Sequence, residues 1–203
     1  MTKANLFIIE SLDFDGEQNH RFEGKFLSQI LHLGGKESAY YYFQNRRELQ
    51  NLMKLFGRSG YRYLHLSCHG GEGAIDTTLE LIPFAKLARI MNPYLNQKRL
   101  FISACSVVKE DLARKIIPSS ECLSIIGPAK DIHFNEAAIV WASFYYLMFK
   151  KDTGKMGREE IISTLKKVAK TFRIPLNYFS VSEEHGFKGD LITTGGKIVR
   201  ICP

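Results

Sequence analysis

The sequence predicts an α/β fold in which a mostly parallel β-sheet is flanked by helices on both faces. Two observations support this prediction. Apolar segments of strand length alternate with helix-like segments along most of the 203 residues, an order typical of covered parallel sheets. The segment over residues 137–149 is apolar all round except at Ser143, so we expect that helix to be buried or to lie in a partner interface.

The predicted strands are short apolar runs, several of which end at a polar residue or at a glycine or proline. We expect strands over residues 4–10, 38–43, 61–68, 98–104 and 121–127, with a shorter one over residues 78–82. After residue 172 the pattern is weaker and allows short strands only. These strands carry the predicted sheet.

Helical periodicity and helix-end signals define the segments between the strands. Helices are expected over residues 17–33, 107–117, 135–150 and 157–172, with another that starts at Pro83. Asn45 and Glu48 have the spacing of a capping box at the start of a further helix, which Gly57 and Gly60 would end. Pro118 is expected to stop the helix over residues 107–117.

Length and composition favour one domain over residues 1–203, because no repeat, low-complexity stretch or linker interrupts the chain. No apolar run reaches the roughly 18 residues of a membrane span, and no secretory signal pattern opens the sequence. The four cysteines lack CxxC spacing, which indicates reduced thiols rather than disulfides or a zinc site. We therefore expect a cytoplasmic protein without a membrane partner.

The formal net charge of +7 is concentrated over residues 150–173. We interpret this stretch as a solvated helix face. The alternative is a contact surface for an anionic partner, such as an acidic protein. No aromatic–basic RNA-binding motif accompanies the charge, so a nucleic-acid partner is not predicted.

Polar residues follow the predicted strands at the rim where parallel sheets bind ligands. His69 follows the third strand and Cys105 follows the fourth. Because consecutive strands are usually neighbours, we expect these two residues at the same rim. Asp13 and Asp15 follow the first strand, and Asp131 follows the fifth.

The pair His69 and Cys105 suits nucleophilic catalysis. A thiol becomes a strong nucleophile when an imidazole takes its proton. Gly70 and Gly71 leave room for backbone N–H groups to approach a substrate, and the N–H of Cys105 is a second donor for an oxyanion hole. The loops that follow the third and fourth strands can therefore supply the nucleophile, the base and the oxyanion donors together.

Two motifs carry a resemblance to a known family. Residues 63–71 (Tyr-Leu-His-Leu-Ser-Cys-His-Gly-Gly) and 100–106 (Leu-Phe-Ile-Ser-Ala-Cys-Ser) resemble the paired signatures of caspase-like (clan CD) cysteine peptidases. The segment over residues 124–151, with Asp131 in its loop and an alanine-rich helix, is similar to the CHAT-domain branch. The resemblance covers residues 61–170, about half of the chain.

The resemblance implies a caspase-like sandwich and a cysteine-type endopeptidase that cleaves protein substrates. It implies His69 and Cys105 as the catalytic dyad, the N–H groups of Gly70 and Cys105 as the oxyanion hole, and neither metal nor organic cofactor. It also implies regulation by an activating or inhibitory protein partner, in cell death or antiviral defence. The helix over residues 137–149 and the basic segment over residues 150–173 are candidate contact surfaces for that partner.

Peptidases of this clan commonly read the residue before the cut with charged groups near the first strand and near the cysteine. Asp13, Asp15 and Asp131 are therefore candidate substrate-binding residues that would favour lysine or arginine there. In metacaspase-like members an aspartate stands two residues before the cysteine. The corresponding residue here is Ser103.

Other functions remain open from the sequence. A catalytically inactive caspase-like scaffold or sensor is the main alternative. A phosphate-binding loop at His69 and the following glycines lacks the GxGxxG and P-loop patterns, and a serine hydrolase built on Ser182 and His185 lacks GxSxG. Cys68 is an alternative nucleophile, although strand alternation should turn it to the opposite face from His69. His65 fits a packing or surface role.

Overall fold

The computed structural model of the chain describes residues 3–150 and 156–203. The strands, in chain order, are Lys3–Glu10 (β1), Ser38–Tyr42 (β2), Tyr61–Ser67 (β3), His69–Gly71 (β4), Ala74–Asp76 (β5), Leu81–Pro83 (β6), Arg99–Ser103 (β7), Ser124–Pro128 (β8), Leu176–Ser182 (β9), Gly186–Ile192 (β10) and Ile198–Cys202 (β11). The α-helices are Phe14–Gln18 (α1), Glu23–Leu33 (α2), Arg46–Ser59 (α3), Phe84–Met91 (α4), Glu110–Ser120 (α5), Phe134–Lys150 (α6) and Arg158–Phe172 (α7).

Eight strands form one mixed sheet in the order β2-β1-β3-β7-β8-β9-β10-β11. The five strands from β2 to β8 pair in parallel, and β9, β10 and β11 extend the sheet by antiparallel pairing. This confirms the predicted α/β fold class with a mostly parallel sheet. The short strands β4, β5 and β6 form a separate antiparallel sheet that the sequence did not predict.

Strand alternation divides the core between the two faces of the large sheet. In β1, Phe7 and Ile9 pack into one buried cluster, which includes the apolar side chains of α3, α4 and α5. Leu6 and Ile8 pack into the other, which includes those of α2, α6 and α7. Helices therefore cover both faces, as predicted.

Two predicted helices have different bounds in the structure. The segment over residues 17–33 forms two helices, α1 and α2, because the chain turns at His20, whose φ of +54° lies outside the helical range. The helix expected over residues 107–117 starts at Glu110, because Lys109 before it has the extended backbone of an N-cap residue. Pro118 does not stop α5. It lies in the last turn, and the helix ends at Ser120.

Other predictions agree closely with the structure. Asn45 caps α3 by accepting the Glu48 N–H at 3.0 Å, and Glu48 in turn accepts the N–H of Gln44. Gly60 ends that helix with a φ of +74°. The apolar helix is α6, which buries Trp141 and most of its other large side chains and exposes two of them.

Three further sequence predictions concern a membrane span, the basic segment and the number of domains. In the described parts of the chain, no helix is long and apolar enough to cross a membrane. Residues 151–155 of the basic segment lie outside the described residues. The prediction of one domain over residues 1–203 stays a prediction.

Candidate active site

The two residues predicted to form a catalytic dyad, His69 and Cys105, lie beyond the ends of neighbouring strands. Ser67 of β3 pairs with Ser103 of β7, and the Cys68 N–H donates to the Ser103 carbonyl at 3.1 Å. His69 and Cys105 each come two residues after that pair. Both line the same cavity of about 280 Å³. The structure thus brings the two residues to one rim of the sheet, as the strand order predicted.

His69 is held between a carboxylate and an aromatic ring. Its Nε2 lies 3.4 Å from Oδ1 of Asp13, and this contact is electrostatic because the two atoms lack hydrogen-bond geometry. The imidazole also packs edge-on against Phe134, with ring centroids 4.9 Å apart. Asp13 Oδ1 accepts the Gly16 N–H at 2.7 Å, so the carboxylate is fixed by capping α1.

The loop after β8 contacts the loop that carries Cys105. The Cys105 thiol donates to the backbone carbonyl of Ile132 at 3.5 Å, and the Ser106 hydroxyl donates to Asp131 at 2.8 Å. Ser106 has a φ of +54°, which marks a tight turn directly after the cysteine.

A second cavity, of about 460 Å³, is also lined by Cys105. Its walls include Gly70 and Gly71 of β4, Lys109 and Asp131. Cys105 is therefore accessible from two cavities.

Gly70 is required by the close approach of β4 to the cysteine loop. A Cβ at this position would lie 2.2 Å from Cγ2 of Val107, well inside van der Waals contact. A Cβ at Gly71 would meet no atom within 4 Å. The first glycine thus sets the spacing between the two loops, and the second faces open space.

A buried carboxylate lies at the interior end of the first cavity. Glu23, at the start of α2, is 4% exposed and lines this cavity. Its Oε2 accepts the hydroxyls of Ser67 at 3.1 Å and Ser103 at 2.8 Å. Its Oε1 lies 3.4 Å from Nε2 of His65, without hydrogen-bond geometry. The sequence analysis did not identify Glu23.

Two further buried titratable groups, His65 and Glu10, lie near Glu23. Nδ1 of His65 and the hydroxyl of Tyr145 are hydrogen-bonded at 2.9 Å, and the His65 side chain is fully buried. Glu10 accepts the Gly24 N–H at 2.7 Å and the Tyr40 hydroxyl at 2.8 Å. Burial, with a contribution from the charge of Glu23, raises the pKa of Glu10 to about 7.

The three aspartates expected to bind substrate occupy different places. Asp13 lies beside His69, as described above. Asp15 forms an ion pair with Arg21 at 2.9 Å on the surface. Asp131 accepts from Ser106 and lines the second cavity with Cys105. The structure does not bring the three carboxylates together into one pocket.

Cys105 is the one cysteine of the four that is not buried. Burial raises the pKa of the Cys68 thiol well above its usual range and that of Cys122 to about 12. Cys68 packs in the core cluster with α3, α4 and α5, whereas His69 contacts Phe134 of α6. Among the residues that the structure describes, no group of three or more His, Cys, Asp and Glu could hold a metal ion.

Comparisons of the sequence with protein-family models and with curated proteins found no match. Comparison with solved structures found similarity to caspase-1 from Spodoptera frugiperda, with a TM-score of 0.52 and 14% sequence identity. The similarity covers 84% of this chain and 79% of that protein. At this identity the similarity concerns the fold alone. The chain has the caspase-like α/β fold.

Proposed function

We propose that this protein is a cysteine endopeptidase in which Cys105 is the nucleophile and His69 is the general base and acid. The observation that supports the proposal most strongly is that both side chains line one cavity beyond paired strand ends. Cys105 is also the accessible thiol among four. The caspase-like fold is the framework expected for such a site.

The proposed chemistry has two steps. His69 takes the thiol proton, the Cys105 sulfur bonds to the scissile carbonyl carbon, and the carbon–nitrogen bond breaks as the leaving amine takes that proton. Water then attacks the thioester, His69 accepts a proton from the water, and the sulfur regains a proton as the acid product leaves. Both steps build negative charge on the carbonyl oxygen, for which the N–H groups of Gly70 and Cys105 are the proposed donors.

Within this proposal Asp13 is a positioning residue rather than a substrate ligand. Its carboxylate faces Nε2 of His69, which leaves Nδ1 as the ring nitrogen for the thiol. A third group that orients the base is a general feature of nucleophile–base pairs. The carboxylate also stabilises the imidazolium that forms when the thiol loses its proton.

The proposal extends to regulation and to the CHAT branch. The Cys105 thiol donates its hydrogen to the Ile132 carbonyl, so this contact must break before the proton can pass to His69. A partner that moves the loop after β8 would break this contact and the one between Ser106 and Asp131. The resemblance of the motifs around His69 and Cys105 and of residues 124–151 supports membership of the CHAT branch and a role in cell death or antiviral defence. The cysteine pattern supports a cytoplasmic location.

We also propose cleavage after a basic residue. Of the three aspartates considered for this role, Asp131 lines a cavity with Cys105, but it is exposed and shares that cavity with Lys109. Asp15 is paired with Arg21 and Asp13 faces His69. Because of these contacts, none of the three aspartates is free to bind a basic side chain of the substrate.

Cleavage of a proteome-derived peptide library tests the proposal. The cut sites are identified by mass spectrometry after incubation with the wild-type protein, Cys105→Ala or His69→Ala. We expect cuts that appear with the wild type and are lost in both variants, at a defined residue before the scissile bond. Identical peptide patterns in all three samples, together with no covalent labelling of Cys105, would instead favour a catalytically inactive scaffold or sensor.

A further inference from the structure

The cavity beside Cys105 has a buried glutamate in its wall. It runs from Cys105 and His69 at the rim to Glu23 in the interior, with Ser103 and Ala137 among its walls. Glu23 is almost fully buried, and its carboxylate is held in place by two serine hydroxyls. A carboxylate held in place in the wall of a pocket is a recognition group for a cation.

We propose that Glu23 selects lysine or arginine as the residue before the scissile bond. The inference rests on the proposed peptidase function and assigns the substrate class of the same site. It replaces the three aspartates considered from the sequence with a residue that the sequence did not single out.

The position of Glu23 relative to the nucleophile suits a long basic side chain. Ser103 binds the carboxylate directly and precedes Cys105 by two residues. Both Glu23 and Cys105 line the cavity, but Glu23 is almost fully buried. A substrate side chain that enters beside Cys105 must therefore be long to reach the carboxylate. Lysine and arginine place their charge at the end of a flexible stem of that kind.

The buried surroundings of Glu23 offer one basic side chain and a second carboxyl. In the described residues, His65 is the one side chain able to carry positive charge at ion-pair distance from Glu23. Glu10, which also lies close by, adds a second carboxyl to the same interior region. Buried carboxylates without a cation are costly, so a substrate cation would gain more here than on the surface.

Apart from His69, two basic side chains line the cavity and would repel a substrate cation. Arg21 is about half exposed, and its guanidinium is already paired with Asp15 at 2.9 Å. His133 is exposed to solvent. Solvent and the paired carboxylate screen these groups, whereas Glu23 is shielded from water. The interior carboxylate therefore dominates over the groups at the mouth.

The test uses a matched set of peptidyl acyloxymethyl ketones that differ only in the residue next to the reactive carbonyl. The residues are lysine, its uncharged analogue norleucine, and aspartate. Formation of the Cys105 adduct on the full chain is followed by intact-mass spectrometry. We expect the lysine probe to react at least tenfold faster than the norleucine probe, and the aspartate probe to react most slowly.

Glu23→Gln keeps the shape of the side chain and removes its charge. We expect it to lower the lysine rate about 10- to 100-fold and to leave the norleucine rate within threefold. Glu184→Gln makes the same chemical change at an exposed glutamate and should preserve the lysine preference. Asp131→Asn should preserve it as well. A purely structural role for Glu23 would lower both probe rates equally.

The outcomes separate the two proposals. If the wild-type protein reacts with lysine no faster than with norleucine, or prefers aspartate, the role of Glu23 is overturned while the peptidase proposal stands. Loss of the lysine preference in Asp131→Asn but not in Glu23→Gln has the same meaning. If no probe labels Cys105 faster in the wild type than in His69→Ala, the peptidase proposal fails and this inference fails with it.

Discussion

Oδ1 of Asp13 lies 3.4 Å from Nε2 of His69 and accepts the Gly16 N–H at 2.7 Å. One carboxylate oxygen thus links the start of α1 to the imidazole. The loop before it is also held, because the Thr78 hydroxyl donates to the Leu12 carbonyl at 2.6 Å. Through these contacts the end of β1 fixes the position of a ring that belongs to a different sheet.

Substitution of Asp13 separates its contact with His69 from its capping of α1. Serine is also a good N-cap, so Asp13→Ser should keep the helix and remove the carboxylate. We expect on the order of a tenfold lower rate of Cys105 acylation by a peptidyl probe, with the melting temperature unchanged. Asp13→Asn retains an oxygen acceptor and should lose less. Equal rates for the wild type and Asp13→Ser would exclude a positioning role.

The two glycines of β4 offer a matched pair of substitutions. Gly70→Ala forces a methyl group against Val107 and should lower the free energy of unfolding by about 1–3 kcal/mol, together with the reactivity of Cys105. Gly71→Ala faces open space and should change stability by less than about 0.5 kcal/mol. Urea unfolding measures both.

A double substitution tests the cause of the Gly70 effect. Val107→Ala removes the methyl group that the new Cβ would meet, so the loss in Gly70→Ala/Val107→Ala should be smaller than the sum of the two single losses. Strict additivity of the losses in unfolding free energy would show that the contact with Val107 is not responsible.

Glu10 predicts a pH dependence of stability. Its pKa is about 7 in the folded protein, above the ordinary value of 4.5, so the folded state binds this proton more tightly than the unfolded state. The resulting stabilisation is complete below pH 4.5 and is lost as the pH rises through 7, by about 3 kcal/mol in total.

Glu10→Gln removes this titration. Urea unfolding of both proteins at several pH values between 4.5 and 8 isolates the contribution of Glu10 as the difference between the two curves. We expect the wild type to lose stability relative to Glu10→Gln as the pH rises. Parallel curves over this range would mean that the folded-state pKa of Glu10 is not raised.

The elements with clear local sequence signals were predicted with nearly correct bounds. The helices expected over residues 135–150 and 157–172 correspond to α6 and α7 within one residue, since apolar periodicity runs their full length. The strand expected over residues 78–82 overlaps β6, but the small sheet of β4, β5 and β6 was missed because its strands have three residues each and two of them adjoin or contain glycines. Such strands are defined by their pairing rather than by a pattern.

The candidate site, too, was predictable only in part from the sequence. Strand order was enough to bring His69 and Cys105 to one rim, because each follows a buried strand and the strands are neighbours. Glu23 was not predictable in this way. An acidic residue at the start of a helix is usually exposed, and its burial here depends on how α2 packs over the ends of β3 and β7.

The central claim is that His69 makes Cys105 a nucleophile, and the acylation of Cys105 by a peptidyl electrophile tests it most directly. Adduct formation is followed by intact-mass spectrometry and peptide mapping in the wild type, His69→Ala and Cys68→Ala. The account predicts one adduct per chain on Cys105, formed at least tenfold more slowly in His69→Ala and unchanged in Cys68→Ala. Labelling at Cys68, or a Cys105 rate that does not depend on His69, would contradict it.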